Sequence, residues 1–264
     1  MRLTDAGRVF VCIFLCFAEI HQIRWIELEN ISRVQEEYNQ KVDNACEAAM
    51  GYAVEQMDGK CLQMNPEEIR AHFFEVLAIN FGVFGDVPKQ KKLKEYVPVM
   101  ALMDMEGAVF YYTVLQKTKE GGMRSCQKAY VPYRTEAEGY EIFYTLGDDI
   151  RVFREGTLVF EGKYRDCPLP VSFLRKEVFE EERRKKIAEI MKERMEYYCN
   201  ACVHEGTGSR GKLNFYFPVI EKEDWYRAVK DVGILVLFEG CPYGRGMTGT
   251  YKRLAVGGAR VVKK

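Results

Sequence analysis

The stretch that decides the predicted fold lies near the start of the chain and reads Val9-Phe10-Val11-Cys12-Ile13-Phe14-Leu15-Cys16-Phe17-Ala18. Arg8 precedes this apolar run, and the first 57 residues contain no proline. From Ile31 onward the apolar residues recur at steps of three and four, the spacing of one helix face. Asp58 and Gly59 supply a helix stop. The pattern predicts one long helix, ~75 Å over fifty residues, with a membrane as the simplest environment for its apolar end.

The apolar run has three interpretations. Extension to Ile26 gives roughly 27 Å of helix, enough to cross most of a bilayer, but it includes Glu19, whose carboxylate is costly there. Trp25 is a residue that often anchors a helix at the membrane surface. Cys16 and Ala18 fit a signal peptide that is cleaved after Ala18. A buried helix of a soluble core is the third interpretation.

The anchor interpretation predicts membrane contact through residues 8–26. Arg2 and Arg8 precede the apolar run, so the positive-inside rule favours an N-terminus inside the cell and a body outside. We therefore expect a single-pass protein of the cell membrane with an extracytoplasmic body. Cleavage after Ala18 would instead yield a secreted protein.

The composition excludes some classes of function. The chain has 39 lysines and arginines against 39 aspartates and glutamates, so no basic excess indicates nucleic-acid binding. Its 47% hydrophobic and 30% charged content is typical of a folded globular protein. The cysteines number nine, and an odd set is unusual for an oxidised disulfide framework. We expect most of these thiols to be small core residues.

The pattern divides the chain into four parts: an anchor or signal segment (residues 1–26), a helical spine (27–58), an α+β antiparallel-sheet domain (59–167), and a long helix with C-terminal strands that pack on the same body (168–264). Asn65 and Pro66 are a helix N-cap and first helical position. Strands are predicted at residues 97–105, 108–116, 128–134, 140–146, 149–154 and 157–163, with a loop at 117–126.

The remaining elements follow Cys167-Pro168-Leu169-Pro170, which reads as an internal boundary. The second long helix is predicted from Ser172 to residue 203, followed by strands at residues 213–220, 233–239, 250–256 and 259–262 and a short helix at 223–230. The lysine cluster of residues 89–94 and the charged run of residues 180–186 are interpreted as solvated, with a docking surface as the alternative for the charged run. The predicted fold class is α+β, with a long N-terminal helix (anchor plus spine) packed on an antiparallel sheet, a second long helix and a C-terminal β-rich segment.

The only metal-ligand candidates are Cys199, Cys202, His204 and Cys241. Cys199 and Cys202 form a C-x-x-C pair, but at a helix C-terminus the helix dipole disfavours a reactive thiolate. A structural zinc site usually shows a second paired spacing, which the sequence lacks. The G-x-G-x-x-G from Gly244 to Gly249 is followed by too few residues for the helix that would hold a pyrophosphate. We predict no catalytic residue, no cofactor and no enzymatic activity.

The layout of an apolar N-terminus, a long helix and an antiparallel sheet resembles type IV pilins and pseudopilins. The body is similar to uncharacterised single-pass proteins found with pilus-like loci of Gram-positive bacteria, on three short stretches: Cys46-Glu47-Ala48-Ala49, Tyr96-Val97-Pro98-Val99, and Asp231-Val232-Gly233 with Gly257-Gly258-Ala259-Arg260. The chain departs from the pilin pattern after Gly7, where the fifth residue is Cys12 rather than glutamate.

Together the pattern and the resemblance imply a non-enzymatic, membrane-anchored extracytoplasmic protein, structural or part of a pilus- or secretion-like assembly. The implied partners are the membrane, other proteins and further copies of the chain, without nucleic acid. An extracytoplasmic sensor or small-ligand-binding domain is the alternative.

Overall fold

The computed structural model describes residues 3–55, 65–118, 121–204, 231–239, 243–246, 249–251 and 254–260. The helices are α1 (Leu3–Glu55), α2 (Pro66–Asn80), α3 (Val87–Glu95) and α4 (Phe179–His204). The strands are β1 (Val99–Met103), β2 (Gly107–Thr118), β3 (Gly121–Pro132), β4 (Arg134–Ala137), β5 (Tyr140–Tyr144), β6 (Asp149–Arg154), β7 (Thr157–Lys163), β8 (Gly233–Glu239), β9 (Tyr243–Gly246), β10 (Gly249–Tyr251) and β11 (Leu254–Arg260). The strand predicted at residues 213–220 and the helix at 223–230 lie outside the described residues.

The chain is an α+β protein with two antiparallel sheets. The first sheet has five strands in the order β11-β8-β1-β2-β3, and the second has four in the order β4-β5-β6-β7. The strands β9 and β10 form a separate two-stranded ribbon. Strands β8 and β11, which come from the C-terminal part of the chain, therefore belong to the same sheet as β1.

The central strands β1 and β8 of the five-stranded sheet are buried on both faces, which divides the interior into two cores. Alternate residues of β1 face opposite sides: Val99, Ala101 and Met103 contribute to one core, and Met100 and Leu102 to the other. Strand β8 divides in the same way. The first core is closed by α4 and the second sheet, and the second core by α1, α2 and α3. A strand buried on both faces needs a continuous apolar sequence rather than an alternating one.

Local sequence signals account for several element ends. The Asn65 side chain accepts a hydrogen bond from the Glu67 N–H, and Pro66 occupies the first turn of α2. The turn between β6 and β7 has positive φ at Glu155 (50°) and Gly156 (78°), the conformation of a two-residue hairpin turn. The predicted bounds of β6, β7 and β8 agree with the structure.

The predicted fold class is wrong in the element that was expected to organise it. The long N-terminal helix does not serve as a spine for the sheet, because the helical segment that packs on the body is short. Among the side chains of α1 whose burial the structure describes, the buried ones lie between Val42 and Ala53, with Tyr38 partly buried just before them. Farther toward the N-terminus, Phe14 and Trp25 are exposed. The sheet is also not single, since a second sheet covers the first core.

Four smaller predictions also differ from the structure. The loop expected at residues 117–126 is replaced by a long hairpin, in which β2 and β3 stay in register from Gly107 and Pro132 to Thr118 and Gly121. Continuous ladder hydrogen bonds there outweigh the two glycines as strand breakers. The lysine cluster expected in a turn belongs to α3, whose N-cap is Asp86.

The second long helix begins at Phe179 rather than at Ser172. Residues Ser172–Leu174 form a 3-10 turn that places Phe173 and Leu174 in the first core, and Arg175 after it is extended. The charged run that follows Phe179 is less solvated than expected, because Arg183 donates a hydrogen bond to the Gly147 carbonyl and is partly buried.

The packed end of α1 approaches β11 at a pair of glycines. A Cβ at Gly257 would lie 2.4 Å from Val42 Cγ1, and a Cβ at Gly258 would lie 2.9 Å from Leu235 Cδ2. The Gly258 N–H donates a hydrogen bond of 3.2 Å to Asp43 Oδ1. The side chain of Asp43 is therefore part of the contact between α1 and β11.

We expect Gly257→Ala to lower the free energy of unfolding by about 1–3 kcal/mol, because the added methyl group must displace Val42 from a packed core. Urea denaturation of the purified protein measures the change. The matched control is Gly51→Ala, where a Cβ would meet nothing within 4 Å. That substitution should stabilise the helix by about 0.5–1 kcal/mol, and equal effects of the two changes would contradict the close approach.

Asp43 provides a prediction about pH. Burial raises the pKa of the Asp43 carboxyl, and the Glu47 and Glu36 charges add to this, although the Gly258 hydrogen bond opposes it. Since the folded-state pKa exceeds the unfolded value, the charge disfavours folding once the pH is above both values. Asp43→Asn keeps an oxygen that accepts from Gly258 and removes the charge. We expect the Asp43→Asn variant to have a higher urea midpoint of unfolding than the wild type at pH 7.

The difference in urea midpoint between the two proteins should shrink as the pH falls and become small near about pH 3, below the ordinary aspartate pKa, where Asp43 is mostly protonated in both states. Urea midpoints measured between pH 7 and pH 3 test this. Asp43→Ala is the control, because it also loses the acceptor for the Gly258 N–H and should be less stable than Asn at every pH. A difference in urea midpoint between the wild type and Asp43→Asn that grows toward low pH would contradict burial as the cause of the raised Asp43 pKa.

Candidate functional site

The N-terminal part of α1 exposes large apolar side chains. Phe14 is 61% exposed, Phe17 is 62% exposed and Trp25 is 71% exposed. The Phe17 ring contacts the imidazole of His21, with centroids 5.1 Å apart. Among the described residues, no helix combines the length and the apolar character needed to cross a membrane. The exposed aromatic residues nevertheless form an apolar surface on a helix whose other end is fixed in the body.

A second apolar surface lies where α2 meets α3, and we call it the α2–α3 corner. It consists of Ile79, Phe84 and Val87, which are 54%, 61% and 73% exposed, together with the exposed lysines Lys91 and Lys92 of α3. The corner lies beside the first packed residues of α1. Three contacts establish this: Asn80 Nδ2 donates to the Lys41 carbonyl at 2.9 Å, the Tyr38 and Phe81 rings are 5.3 Å apart, and Lys41 Nζ is 5.0 Å from the centre of the Phe81 ring.

A groove lies on the outer face of the second sheet, where that sheet meets β3 and the turn between β1 and β2. Its volume is about 530 Å³, within the range of small-molecule sites. Aromatic walls come from Tyr130, Phe143 and Phe153, and the last two rings meet edge to face with centroids 5.5 Å apart.

The groove is more acidic than basic. Its lining carries the carboxylates of Glu106, Asp149 and Glu161 and the guanidinium of Arg151. Arg151 pairs with Glu106 at 3.1 Å, and Lys163 stands opposite Asp149 in the strand register. A tyrosine hydroxyl is protonated near neutral pH, so Tyr130 can donate a hydrogen bond into the groove. Burial raises the pKa of this hydroxyl, and Glu106 contributes to the shift. Aromatic walls with an acidic rim suit a small molecule that has an apolar body and a positive group.

The predicted metal ligands are not brought together by the described structure. Cys199 is buried in the first core, in contact with the packing around α4. Cys202 and His204 lie in the last turns of α4, where only the backbone is described. Cys241 lies outside the described residues. In the described part of the chain, no three side chains of His, Cys, Asp or Glu are grouped so that they could hold a metal ion.

The sequence interpretation missed the groove and the apolar half of the α2–α3 corner. The groove joins residues of five separate turns and strands, and no local spacing relates them. The corner had a readable signal, because Asp86, Val87 and Pro88 form a helix start shortly after Phe84 and before the lysine cluster.

Comparison with protein-family models, curated proteins and solved structures finds no match for this chain.

Thiol accessibility tests the placement of the cysteines. Brief treatment of the native protein with iodoacetamide should label Cys126, which is exposed, and spare Cys46 and Cys199, which are buried. Burial also raises the pKa of the Cys46 thiol, which lowers the fraction of reactive thiolate. Peptide mass spectrometry resolves the individual sites. The same treatment in urea, where all three should react, is the control, and native labelling of Cys199 would contradict its position in the core.

Proposed function

We propose that this protein is a non-enzymatic component of an extracytoplasmic assembly, held at a membrane by the N-terminal part of α1. The observation that carries the proposal is the exposure of Phe14, Phe17 and Trp25 on the helix whose other end is fixed in the body. Large apolar side chains that are grouped on a surface mark sites of contact with a membrane or another protein. The bilayer is the partner that also suits the apolar run between residues 9 and 18.

The body is suited to a structural role because α1, from its N-terminal part, packs against β11, from its C-terminal part. Strand β11 contacts α1, and β8 lies between β11 and β1 in the first sheet. Force applied to α1 would therefore be transmitted through β11 to β8 and β1, which are buried on both faces. The resemblance to pilins and pseudopilins adds the expectation that copies or partner proteins assemble on this body. The alternative role in binding a small ligand has one supporting observation, the groove with aromatic walls.

The attachment can be tested by flotation of the full chain with vesicles of phosphatidylcholine. The variant Phe14→Ser/Phe17→Ser/Trp25→Ser should lose flotation. Each buried large apolar side chain contributes about 1.5–3 kcal/mol, so the three together should change the partition coefficient by at least about 100-fold. Circular dichroism of the purified variant verifies that the body is still folded.

The matched control removes three apolar side chains that are exposed elsewhere on the body, in the variant Leu158→Ser/Val159→Ser/Tyr197→Ser. This control should float like the wild type. Unchanged flotation of the α1 variant, or an equal loss in both variants, would contradict attachment through α1.

A further inference from the structure

We propose that the α2–α3 corner is a docking surface for an anionic lipid bilayer. The inference deepens the proposed function, because it gives the body its own contact with the membrane that α1 would attach to. It rests on two separate observations, the exposed apolar side chains Ile79, Phe84 and Val87 and the lysines of α3.

The exposure of the apolar side chains is built into a rigid turn. Gly82 and Gly85 have positive φ of 64° and 85°, which lets the chain reverse between α2 and α3. Backbone hydrogen bonds hold the reversal, from Val83 N to the Ala78 carbonyl and from Asp86 N to the Val83 carbonyl. Because the turn is fixed, Phe84 cannot reach the core by a small rearrangement. Its ring is therefore available for insertion among lipid chains.

The lysines of α3 give the corner its positive charge. Lys89 pairs with the N-cap Asp86 at 2.8 Å, and Lys94 Nζ lies 5.5 Å from the centre of the Phe74 ring. The inner face of the helix is marked by the buried Leu93. Lys91 and Lys92 are exposed on the surface of the helix, whereas the acidic side chain of Asp86 is already paired with Lys89.

A bilayer with anionic headgroups complements both halves of the corner at once. Lysines near such a surface are attracted to lipid phosphates, while apolar side chains beside them enter the acyl region. An acidic protein would satisfy the charges of Lys91 and Lys92 but would leave the apolar tip at Phe84 and Val87 without an apolar environment. The position of the corner beside Tyr38 and Lys41 also places it at the end of the body nearest the exposed aromatic residues of α1.

The test measures sedimentation of the full chain with two kinds of vesicle, phosphatidylcholine alone and phosphatidylcholine mixed with phosphatidylglycerol. Four proteins are compared: the wild type, the corner variant Lys91→Gln/Lys92→Gln, the α1 variant Phe14→Ser/Phe17→Ser/Trp25→Ser, and the combination of both. In the α1 variant, residual binding should require phosphatidylglycerol and should weaken as salt is added. Each lysine near an anionic surface contributes about 1 kcal/mol. The combined variant should therefore bind the phosphatidylglycerol vesicles about 30-fold more weakly than the α1 variant does.

The control is Lys185→Gln/Lys192→Gln in the same α1 variant. It removes the same charge from exposed positions of α4, on the opposite side of the first sheet, and should not change binding. If the combined variant binds phosphatidylglycerol vesicles as strongly as the α1 variant, or if the α4 control weakens binding equally, the corner is not the docking surface. Failure of the attachment proposal is distinguishable, because the α1 variant would then bind phosphatidylcholine vesicles like the wild type.

A substitution in the apolar half tests the corner independently. Phe84→Ser should weaken binding of the α1 variant to phosphatidylglycerol vesicles without changing its salt dependence, since no charge is removed. Tyr197→Ser, which removes an aromatic ring that is exposed to a similar degree on α4, should leave binding unchanged. A loss with Lys91→Gln/Lys92→Gln but none with Phe84→Ser would overturn docking on a bilayer and indicate a purely electrostatic partner such as an acidic protein.

Discussion

The close approach of α1 to β11 is the constraint on which the rest of the structure depends. A helix can lie this near a strand only where side chains are absent or small, and at Gly257 even a Cβ would lie 2.4 Å from Val42 of the helix. The hydrogen bond from Gly258 to Asp43 then sets the position of the helix along the strand. A helix placed at this depth closes the second core, and the apolar side chains of β8 that face it become buried.

Burial of β1 and β8 on both faces follows in part from that placement. With α1 and α2 on one side, and α4 and the second sheet on the other, β1 and β8 have no solvent-exposed face. The chain therefore brings residues near position 42 into contact with residues near position 257, and β1 beside β8 across more than a hundred residues of sequence. Such long-range pairing resists separation of the N-terminal and C-terminal parts, which is the property that a structural role at a membrane requires.

The surfaces that remain are distributed in a way that suits this role. The helix that carries the exposed aromatic residues contacts the end of α2 beside the α2–α3 corner through Tyr38 and Phe81. The groove lies on the second sheet, away from α1, and is lined by side chains from the turn after β1 and from β3, β5, β6 and β7. Although the chain has no net charge, the α2–α3 corner and the groove differ in their local charge. The corner carries exposed lysines, whereas the groove has more acidic than basic side chains.

The sequence by itself determined the elements whose signals are local. The cap at Asn65 and Pro66, the turn at Glu155 and Gly156, and the apolar run of β8 each depend on residues a few positions apart, and the predicted bounds agree with the structure there. Only the tertiary structure decided that β8 lies beside β1, that a second sheet covers the first core, and that the packed part of α1 is short. Strand partners and helix depth depend on contacts between residues such as Val42 and Gly257, which no period along the chain relates. The groove and the apolar half of the corner belong to this second class, because their residues are brought together only after the strands have paired and the helices have packed.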